Sequence, residues 1–277
     1  MMIDPQNLDQ ILNELYGDIG MSDEAFEARL ERSLGPRGPD MLYEALGALG
    51  LDQDHDLLDV GCRDATHTCE LARRYGCRAL GIDPVAHNIA RSRTVIDGSG
   101  QAGRVRAIEG RIEAIPAGDN EFDFIWCRDM LNHVLDLRAG LAECARVLRP
   151  GAKMLVYQTF ATDLLEPGEA ARLYQALAVV PANMSTAAFE AACQGVGLRV
   201  AKRDTIASEW REYWEETGVG TTSRQLLRIA RMRRDRERLI AELGLVVYES
   251  ELANCHWGVY QMLGKLCPMM YVVEPRR

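Results

Sequence analysis

The alternation of apolar and helical segments between residues 57 and 160 constrains the fold of this chain more than any other feature. Short apolar segments that end at a turn or a polar residue predict buried strands, at 57–61, 78–83, 105–109, 122–127 and 153–160. Helical segments separate them, at about 66–75, 85–96 and 136–148. Because parallel strands need such crossovers, the pattern predicts an α/β fold: a doubly wound, mostly parallel sheet with helices on both faces.

The pattern is looser on both sides of this region. Further elements are expected as helices at about 168–179 and 185–195, a sixth strand at Leu198–Arg203, a helical segment at 209–245 and a seventh strand at Met269–Glu274. The first 50 residues are helical in character, with a helix start at Ser22 and a break at 34–39. We therefore predict four parts: an N-terminal helical cap (1–50), a core (51–203), a helical insertion or lid (204–265) and a final core strand (266–277).

Charge and hydropathy argue against several classes of partner. The chain has 277 residues and a formal net charge of −9. Nucleic acid is not expected as the main partner, because neutralising phosphates needs a basic surface. No apolar run approaches the roughly 18 residues that a membrane span needs. The first six residues lack the basic-then-apolar pattern of a signal peptide, so we expect a cytoplasmic protein with no membrane partner.

The cysteines give no metal site or disulfide framework. There are eight, scattered along the chain without a Cys-x-x-Cys pair. The one local cluster with metal-ligand residue types contains Cys62, His67, Cys69 and Cys77. A helix over 66–75 would direct His67 and Cys69 to different faces, so we predict no metal.

Two acidic residues at strand ends indicate a ligand site. The first predicted strand leads into the loop 59–65, which begins Asp59-Val60-Gly61, and Asp83 ends the second strand. Open α/β sheets bind ligands beyond the carboxyl ends of their strands. Gly61 would let the backbone approach a ligand closely, and the Asp83 carboxylate can accept hydrogen bonds from both hydroxyls of a ribose. The loop carries Arg63 and Ala65 instead of further glycines, so the dinucleotide-binding signature is absent.

Six segments, in the expected order, resemble motifs of class I S-adenosylmethionine-dependent methyltransferases. They are Asp59–Ala65 (first motif), Leu80–Asp83 (ribose-binding acid), Glu109–Pro116 (adenine border), Glu121–Trp126 (fourth strand), Met130–Val134 (the helical element after it) and Val147–Ala152 (the turn before the fifth strand). The resemblance covers about residues 55–160. It implies a Rossmann-like fold, S-adenosylmethionine as cofactor and S-adenosylhomocysteine as product.

The resemblance also implies which residues contact the cofactor. They are Asp59, Gly61, Cys62, Arg63, Asp83, Pro84, Asn88, Arg111, Ile112, Glu113, Cys127, Arg128 and His133. Arg63 and Ala65 replace the second and third glycines of the first motif. Arg63 either pairs with the methionyl carboxylate or is an exposed loop arginine. Arg111 replaces the acid that hydrogen-bonds the adenine amino group, which leaves the backbone at Ile112 to serve.

Methyl transfer is an in-line displacement that needs alignment and exclusion of water more than a fixed catalytic residue. His133, just beyond the fourth strand, is a candidate base, although it could instead pack on the cofactor. His256 lies among aromatic residues outside the core. It either lines a substrate pocket as a second catalytic candidate or is a hydrogen-bonded structural histidine.

Aromatic residues in the predicted insertion indicate a cover over the site. Trp210, Tyr213 and Trp214 recur at helical spacing, and Trp257 and Tyr260 follow later. They predict a lid that lines the substrate pocket, with plain packing or a homodimer interface as the alternatives. Seven arginines between 224 and 238 make a basic amphipathic helix, for which a solvated face is expected and an anionic substrate or partner is the alternative.

These features together predict transfer of a methyl group to an oxygen, nitrogen or carbon of a small molecule, such as a specialised metabolite. One alternative is a cofactor-binding protein that does not methylate, acting as a scaffold or in another reaction such as a cyclisation. An arsenite methyltransferase would need three thiolates around the metalloid, which the scattered cysteines disfavour. A nucleic-acid methyltransferase would have to bind through the basic segment 224–238.

Overall fold

The structure is a computed structural model that describes residues 7–17, 22–32 and 34–276, and it divides into two compact units, Met1–Pro36 and Arg37–Arg277. The first unit contains α1 (Leu8–Tyr16) and α2 (Asp23–Leu30). The Ser22 hydroxyl accepts a hydrogen bond from the backbone N–H of Ala25 at 3.2 Å, as expected of a residue that starts a helix. Parts of the predicted N-terminal cap, residues 1–6, 18–21 and 33, lie outside the described residues, as does Arg277 of the predicted final strand.

The second unit begins earlier than the predicted core. Helix α3 (Met41–Ala48), which the sequence assigns to the N-terminal cap, belongs to it. The reason is burial, since Leu42 and Leu46 are almost fully enclosed in the hydrophobic core of this unit. The division between compact units therefore falls after Pro36 and not at residue 50.

A seven-stranded sheet forms the centre of the second unit. Its strands are β1 (Asp56–Val60), β2 (Arg78–Asp83), β3 (Val105–Glu109), β4 (Phe122–Arg128), β5 (Leu148–Ala161), β6 (Leu198–Thr205) and β7 (Leu266–Pro275). They lie in the order β3-β2-β1-β4-β5-β7-β6. The pairs among β1 to β5 are parallel, and β7 runs antiparallel to both β5 and β6. The predicted mostly parallel, seven-stranded α/β sheet is confirmed.

Helices cover both faces of the sheet. They are α4 (Thr66–Tyr75), α5 (Ala86–Ser99), α6 (Leu137–Val147), α7 (Pro167–Leu177) and α8 (Thr186–Gly195). Strand β4 contributes side chains to the hydrophobic core on both faces of the sheet. Phe124 and Trp126 pack in the core against α3 and α4, and Ile125 and Cys127 pack in the core against α6 and α8. Alternate side chains of a strand point to opposite faces, so a continuously apolar strand is the expected pattern when both faces are buried.

Four helices follow β6 and precede β7. They are α9 (Glu209–Glu216), α10 (Thr221–Arg234), α11 (Arg236–Leu243) and α12 (Leu245–Met262). They occupy the segment 204–265 that the sequence marks as an insertion. Arg37 attaches the start of α9 to the strand before it, because its guanidinium pairs with Asp204 at 2.9 Å and Glu209 at 2.7 Å. In the described part of the chain, no helix has both the length and the apolarity to cross a membrane.

Candidate functional site

The sheet order creates a cleft beside β1. The connections from β1 to β2 and β3 run to one side and β4 lies on the other, so the chain direction switches at this point and leaves a crevice beyond the carboxyl ends of the strands. The crevice has a volume of about 880 Å³. Of the residues that the sequence assigns to the cofactor or the lid, it is lined by Asp59, Gly61, Cys62, Arg63, Asp83, Pro84, Asn88, Arg128, His133, Trp210, Trp214 and Trp257.

The loop after β1 keeps a glycine-type backbone without its later glycines. Gly61, Arg63 and Ala65 all have left-handed conformations, with φ of 77°, 53° and 61°. This conformation costs a residue with a Cβ atom roughly 1 kcal/mol or more. The loop is held by its neighbours, since the N–H groups of Gly61 and Cys62 both donate to the carbonyl of Ile82 at 2.9 Å. The replacement of two motif glycines therefore leaves the fold of the loop intact.

Asp83 is the centre of a hydrogen-bond network at the end of β2. It is 6% exposed, and one carboxylate oxygen accepts from the N–H of Arg63 at 3.0 Å. The other oxygen accepts from the N–H of Val85 at 2.9 Å and from the side-chain amide of Asn88 at 3.0 Å. A carboxylate offers about four acceptor positions. One remains free for a ribose hydroxyl, and rotation of the Asn88 amide would release a second.

Asp59 is buried at the floor of the cleft. It is 2% exposed and accepts a hydrogen bond from the hydroxyl of Thr68 in α4. Burial raises the pKa of Asp59 to about 7, against the opposing effect of the Thr68 hydrogen bond. A carboxyl group of this kind is poised to ionise when a positive charge enters the cleft.

A histidine that the sequence analysis considered only for metal binding lies at the same end of the cleft. His67 of α4 contacts the hydroxyl of Tyr43 through Nδ1 and the guanidinium of Arg128 through Nε2. Burial and the charge of Arg128 lower the pKa of His67 to about 4, so the imidazole is neutral at physiological pH. Tyr43 in turn stacks on Trp126, with ring centroids 5.3 Å apart. In the described residues, no group of three His, Cys, Asp or Glu side chains could hold a metal ion.

The other end of the cleft is aromatic. All four tryptophans of the chain line the cleft: Trp126 lies beside His67, and those at 210, 214 and 257 come from α9 and α12 and form this other end. Trp210 stacks flat on Tyr157 of β5, with ring centroids 4.5 Å apart and an angle of 4° between the ring planes. Tyr157 is therefore part of the cleft wall and not simply a core residue. The guanidinium of Arg128 lies 5.9 Å from the Tyr157 ring and 5.7 Å from the Trp210 ring.

His133 lies at the rim of the cleft, in the short 3-10 helix Leu131–His133 that follows β4. The ring is exposed, and its Nδ1 is 3.1 Å from the carbonyl oxygen of Ala178. Because a carbonyl only accepts, Nδ1 carries the proton in the neutral ring. This tautomer leaves Nε2 unprotonated, which is the state that a general base requires.

His256 is not at this cleft. With Tyr260, it lines a separate cavity of about 170 Å³ formed by α7, α10 and α12. Its Nδ1 donates to the carbonyl of Leu252 at 2.8 Å, and its Nε2 accepts from Arg233 at 3.0 Å. The two predicted catalytic histidines are thus not brought together. Of the two alternatives that the sequence leaves for His256, this geometry matches the hydrogen-bonded structural one.

Other predicted site residues also lie away from the cleft lining. Ile112 is buried in the core beside Gly140, and Cys127 is fully buried in β4. Arg111 and Glu113 pair with each other at 3.7 Å. A contact between this segment and the adenine stays a prediction. The ring of Tyr213 lies against Gly38 and is not part of the cleft lining.

Several residues of the cleft were missed by sequence reasoning. Besides His67, they include Asp129, Met130, Arg211 and Gln261. Asp129 and Met130 immediately follow β4, and their position beyond a strand end was a usable signal. Arg211 and Gln261 come from α9 and α12, and no local pattern indicates that these two helices meet over β5.

Residues 58–156 match the family described as "Methyltransferase domain". O-methyltransferase cnsE of Penicillium expansum is 33% identical over 104 residues, 38% of each chain, and O-methyltransferase resE of Aspergillus sclerotiorum is 25% identical over 78% of this chain and 81% of its own. A putative sarcosine dimethylglycine methyltransferase from Galdieria sulphuraria has a similar fold, with a TM-score of 0.66 at 17% identity over 86% of this chain and 84% of that one. The [4+2]-cyclase SpnF gives a TM-score of 0.65 at 18% identity, over 86% and 82%.

Proposed function

We propose that this protein is a class I S-adenosylmethionine-dependent methyltransferase that transfers a methyl group to a small-molecule acceptor, because residues 58–156 match a family of methyltransferase domains. Oxygen is the favoured acceptor atom, because O-methyltransferases stand among its relatives, two of them from Penicillium and Aspergillus. Nitrogen and carbon acceptors are the other possibilities. The helices α9–α12 form the lid, and the acceptor enters the cleft from the side of its tryptophans.

The proposal rests mainly on the hydrogen-bond network around Asp83. A buried carboxylate with a free acceptor position, beside a loop that approaches through Gly61, fits the ribose of the cofactor. The aromatic end of the cleft supplies room for an acceptor next to it. S-adenosylmethionine, when bound, supplies an electrophilic methyl group on a positively charged sulfonium. Burial of Asp59 close to that charge favours the bound state, because the carboxyl group can ionise in response.

The methionyl end of the cofactor needs a cation. Arg128 ends β4, where its guanidinium contacts the neutral ring of His67 and lies near two aromatic rings, and no ion pair found among the described residues involves it. It is therefore available to pair with a carboxylate of the cofactor, and the exposed Arg63 can approach from the loop. Tyr43 and the neutral His67 hold Arg128 in orientation without competing for its charge.

Two groups act on the acceptor. The unprotonated Nε2 of His133 takes the proton that the nucleophilic atom loses. Trp210 and Trp214 exclude water from the reacting atoms, because they cover the cleft from α9.

The test measures cofactor binding and methyl transfer separately. Calorimetric titration with S-adenosylhomocysteine should give binding to the native protein, and Asp83→Ala should weaken it about 100-fold, as expected for the loss of about 3 kcal/mol of charge-assisted hydrogen bonds. Asp97→Ala, an exposed change on α5, is the matched control and should bind normally. Incubation with methyl-labelled S-adenosylmethionine and a panel of phenols and amines should then give labelled product. Binding without any transfer would instead support the non-methylating alternative.

A further inference from the structure

The cleft contains a second arginine whose charge the protein leaves unpaired. Arg211 projects from α9, and its Nε donates to the side-chain carbonyl of Gln261 at 2.7 Å, while Nη1 donates to that of Gln225 at 3.3 Å. The guanidinium also lies 5.2 Å from the ring of Trp214. None of these partners carries a charge, and no ion pair found among the described residues involves Arg211.

Partial burial of the unpaired Arg211 guanidinium costs free energy. Pairing with a bound anion would offset that cost. Arg211 is half-buried, and burial lowers the pKa of its guanidinium, although the charges of Asp129 and Glu215 act in the opposite direction. Charged groups taken out of water are normally paired. Arg37, in the coil before α3, shows the usual arrangement, because its guanidinium is held by the carboxylates of Asp204 and Glu209.

The side chains around Arg211 indicate the shape and polarity of the ligand's remaining part. Trp210, Trp214 and Trp257 line the same end of the cleft, and flat aromatic walls favour a planar, apolar ligand. The buried indole N–H of Trp210 has no hydrogen-bond partner in the described structure. The cleft lining contains four aspartates, at 59, 64, 83 and 129, against three arginines, at 63, 128 and 211. A single negative charge is balanced by Arg211 alone, whereas a dianion such as a phosphate would need a second cation beside it.

We infer that the methyl acceptor is an aromatic carboxylic acid whose carboxylate pairs with Arg211. This inference rests on the proposed methyltransferase function and specifies its substrate class. The planar fork of a guanidinium matches a carboxylate, and the two glutamine side chains hold the fork so that its remaining N–H donors face the ligand. The tryptophans contact the ring that carries the carboxylate, and the nucleophilic atom of that ring lies toward the cofactor.

The cofactor's own carboxylate is the competing occupant of Arg211. Arg128 and Arg211 both lie beside the aromatic wall, but their other contacts differ: Arg128 also contacts His67 of α4, next to the loop after β1, whereas Arg211 contacts Gln261 of α12. We therefore assign the cofactor's carboxylate to Arg128 and the acceptor's to Arg211. A binding experiment with both ligands separates these two assignments.

The experiment compares acids with their neutral amides on the intact protein. The protein, saturated with S-adenosylhomocysteine, is titrated in a calorimeter with 4-hydroxybenzoate and naphthalene-2-carboxylate, and with the corresponding amides. At least one acid should bind more tightly than its amide by roughly 10- to 100-fold, the range expected for a hydrogen-bonded charge pair. Arg211→Gln should abolish that preference while leaving affinity for S-adenosylhomocysteine within about threefold. Arg211→Lys, which keeps the charge, should retain part of it.

Arg228→Gln is the matched control, because Arg228 is an exposed arginine of α10 outside the cleft lining, and it should behave as the native protein does. Equal affinity for acids and amides, or no binding of either, overturns the inference. It is also overturned if Arg211→Gln weakens S-adenosylhomocysteine instead of the acid, since Arg211 would then serve the cofactor. Failure of the native protein to bind S-adenosylhomocysteine at all is a different result, which rejects the proposed function itself.

Discussion

Replacement of the buried Asp59 by asparagine should stabilise this protein in a pH-dependent way. The carboxyl group has a pKa of about 7 in the folded protein, against 3.8 for an unperturbed aspartate, because burial disfavours its charged form. A group whose pKa is raised on folding contributes stability below the unfolded pKa, and that contribution is lost as the pH rises toward the folded pKa. Asparagine carries no charge at any of these pH values, and its carbonyl can still accept the hydrogen bond of Thr68.

The size of the effect follows from the two pKa values. A rise from 3.8 to about 7 corresponds to a free energy on the order of 4 kcal/mol once the pH exceeds 7. The difference in free energy of unfolding between Asp59→Asn and the native protein should be about 0.5 kcal/mol at pH 4, roughly 1.5 kcal/mol at pH 5 and about 4 kcal/mol at pH 8. Urea unfolding at several pH values, followed by circular dichroism, measures this difference directly.

Asp56→Asn is the matched control on the same strand. The hydrogen bond from Arg78 lowers the pKa of Asp56, and Arg149 acts in the same direction. Its carboxylate therefore contributes stability at neutral pH that is lost as the pH falls, so Asp56→Asn should destabilise the protein most at pH 7 and less in acid. If the change in free energy of unfolding caused by Asp59→Asn were the same at pH 5 and pH 8, the conclusion that burial raises the pKa of Asp59 would be wrong.

Two further changes test the cleft itself. Gly61→Ala would place a Cβ atom 2.8 Å from Cγ of Met130 at a φ of 77°, so it should cost about 2 kcal/mol of stability and weaken S-adenosylhomocysteine binding in a calorimetric titration. Gly103→Ala, where a Cβ meets nothing within 4 Å, should do neither, and equal behaviour of the two variants would contradict the close approach of the loop. His133→Gln should lower kcat about 100-fold or more while leaving S-adenosylhomocysteine affinity unchanged. The exposed His87→Gln is its control, and a loss confined to cofactor affinity would mean that His133 packs on the cofactor instead.

The strand–helix core is the part of the fold that sequence predicts well. Helix α4 and strands β2 and β3 have the predicted bounds, because each is closed by a local signal such as Gly76, which takes a left-handed φ of 71° at the helix end. Strand β5 begins at Leu148 and not at 153, since Leu148 already pairs with Phe122 and the pairing resumes at Lys153 after an irregularity. The helix expected at 209–245 is three helices followed by a fourth that reaches Met262.

The sequence also predicts one part of the candidate site and not the other. The positions of Asp59, Gly61 and Asp83 follow from strand ends, because parallel strands bring their carboxyl ends to one edge of the sheet. A left-handed φ at Gly61 is what a motif glycine indicates. That Arg63 and Ala65 also adopt the left-handed conformation was visible only in the structure. His256 illustrates the limit, since its aromatic neighbours in sequence belong to a helix that presents them to two different cavities.

The sequence by itself determined the succession of strands along the chain and the ligand edge of the sheet, since these depend on local periodicity and on residues at strand ends. The cofactor family followed from the resemblance of six motifs to those of known methyltransferases. Only the tertiary structure decided what surrounds the acceptor. The approach of α9 and α12 to β5 brings Tyr157, Arg211 and Gln261 into one cleft, although the first and last of them are 104 positions apart in sequence. Helix packing over a sheet depends on the shapes of all the buried faces at once, and no single segment encodes that.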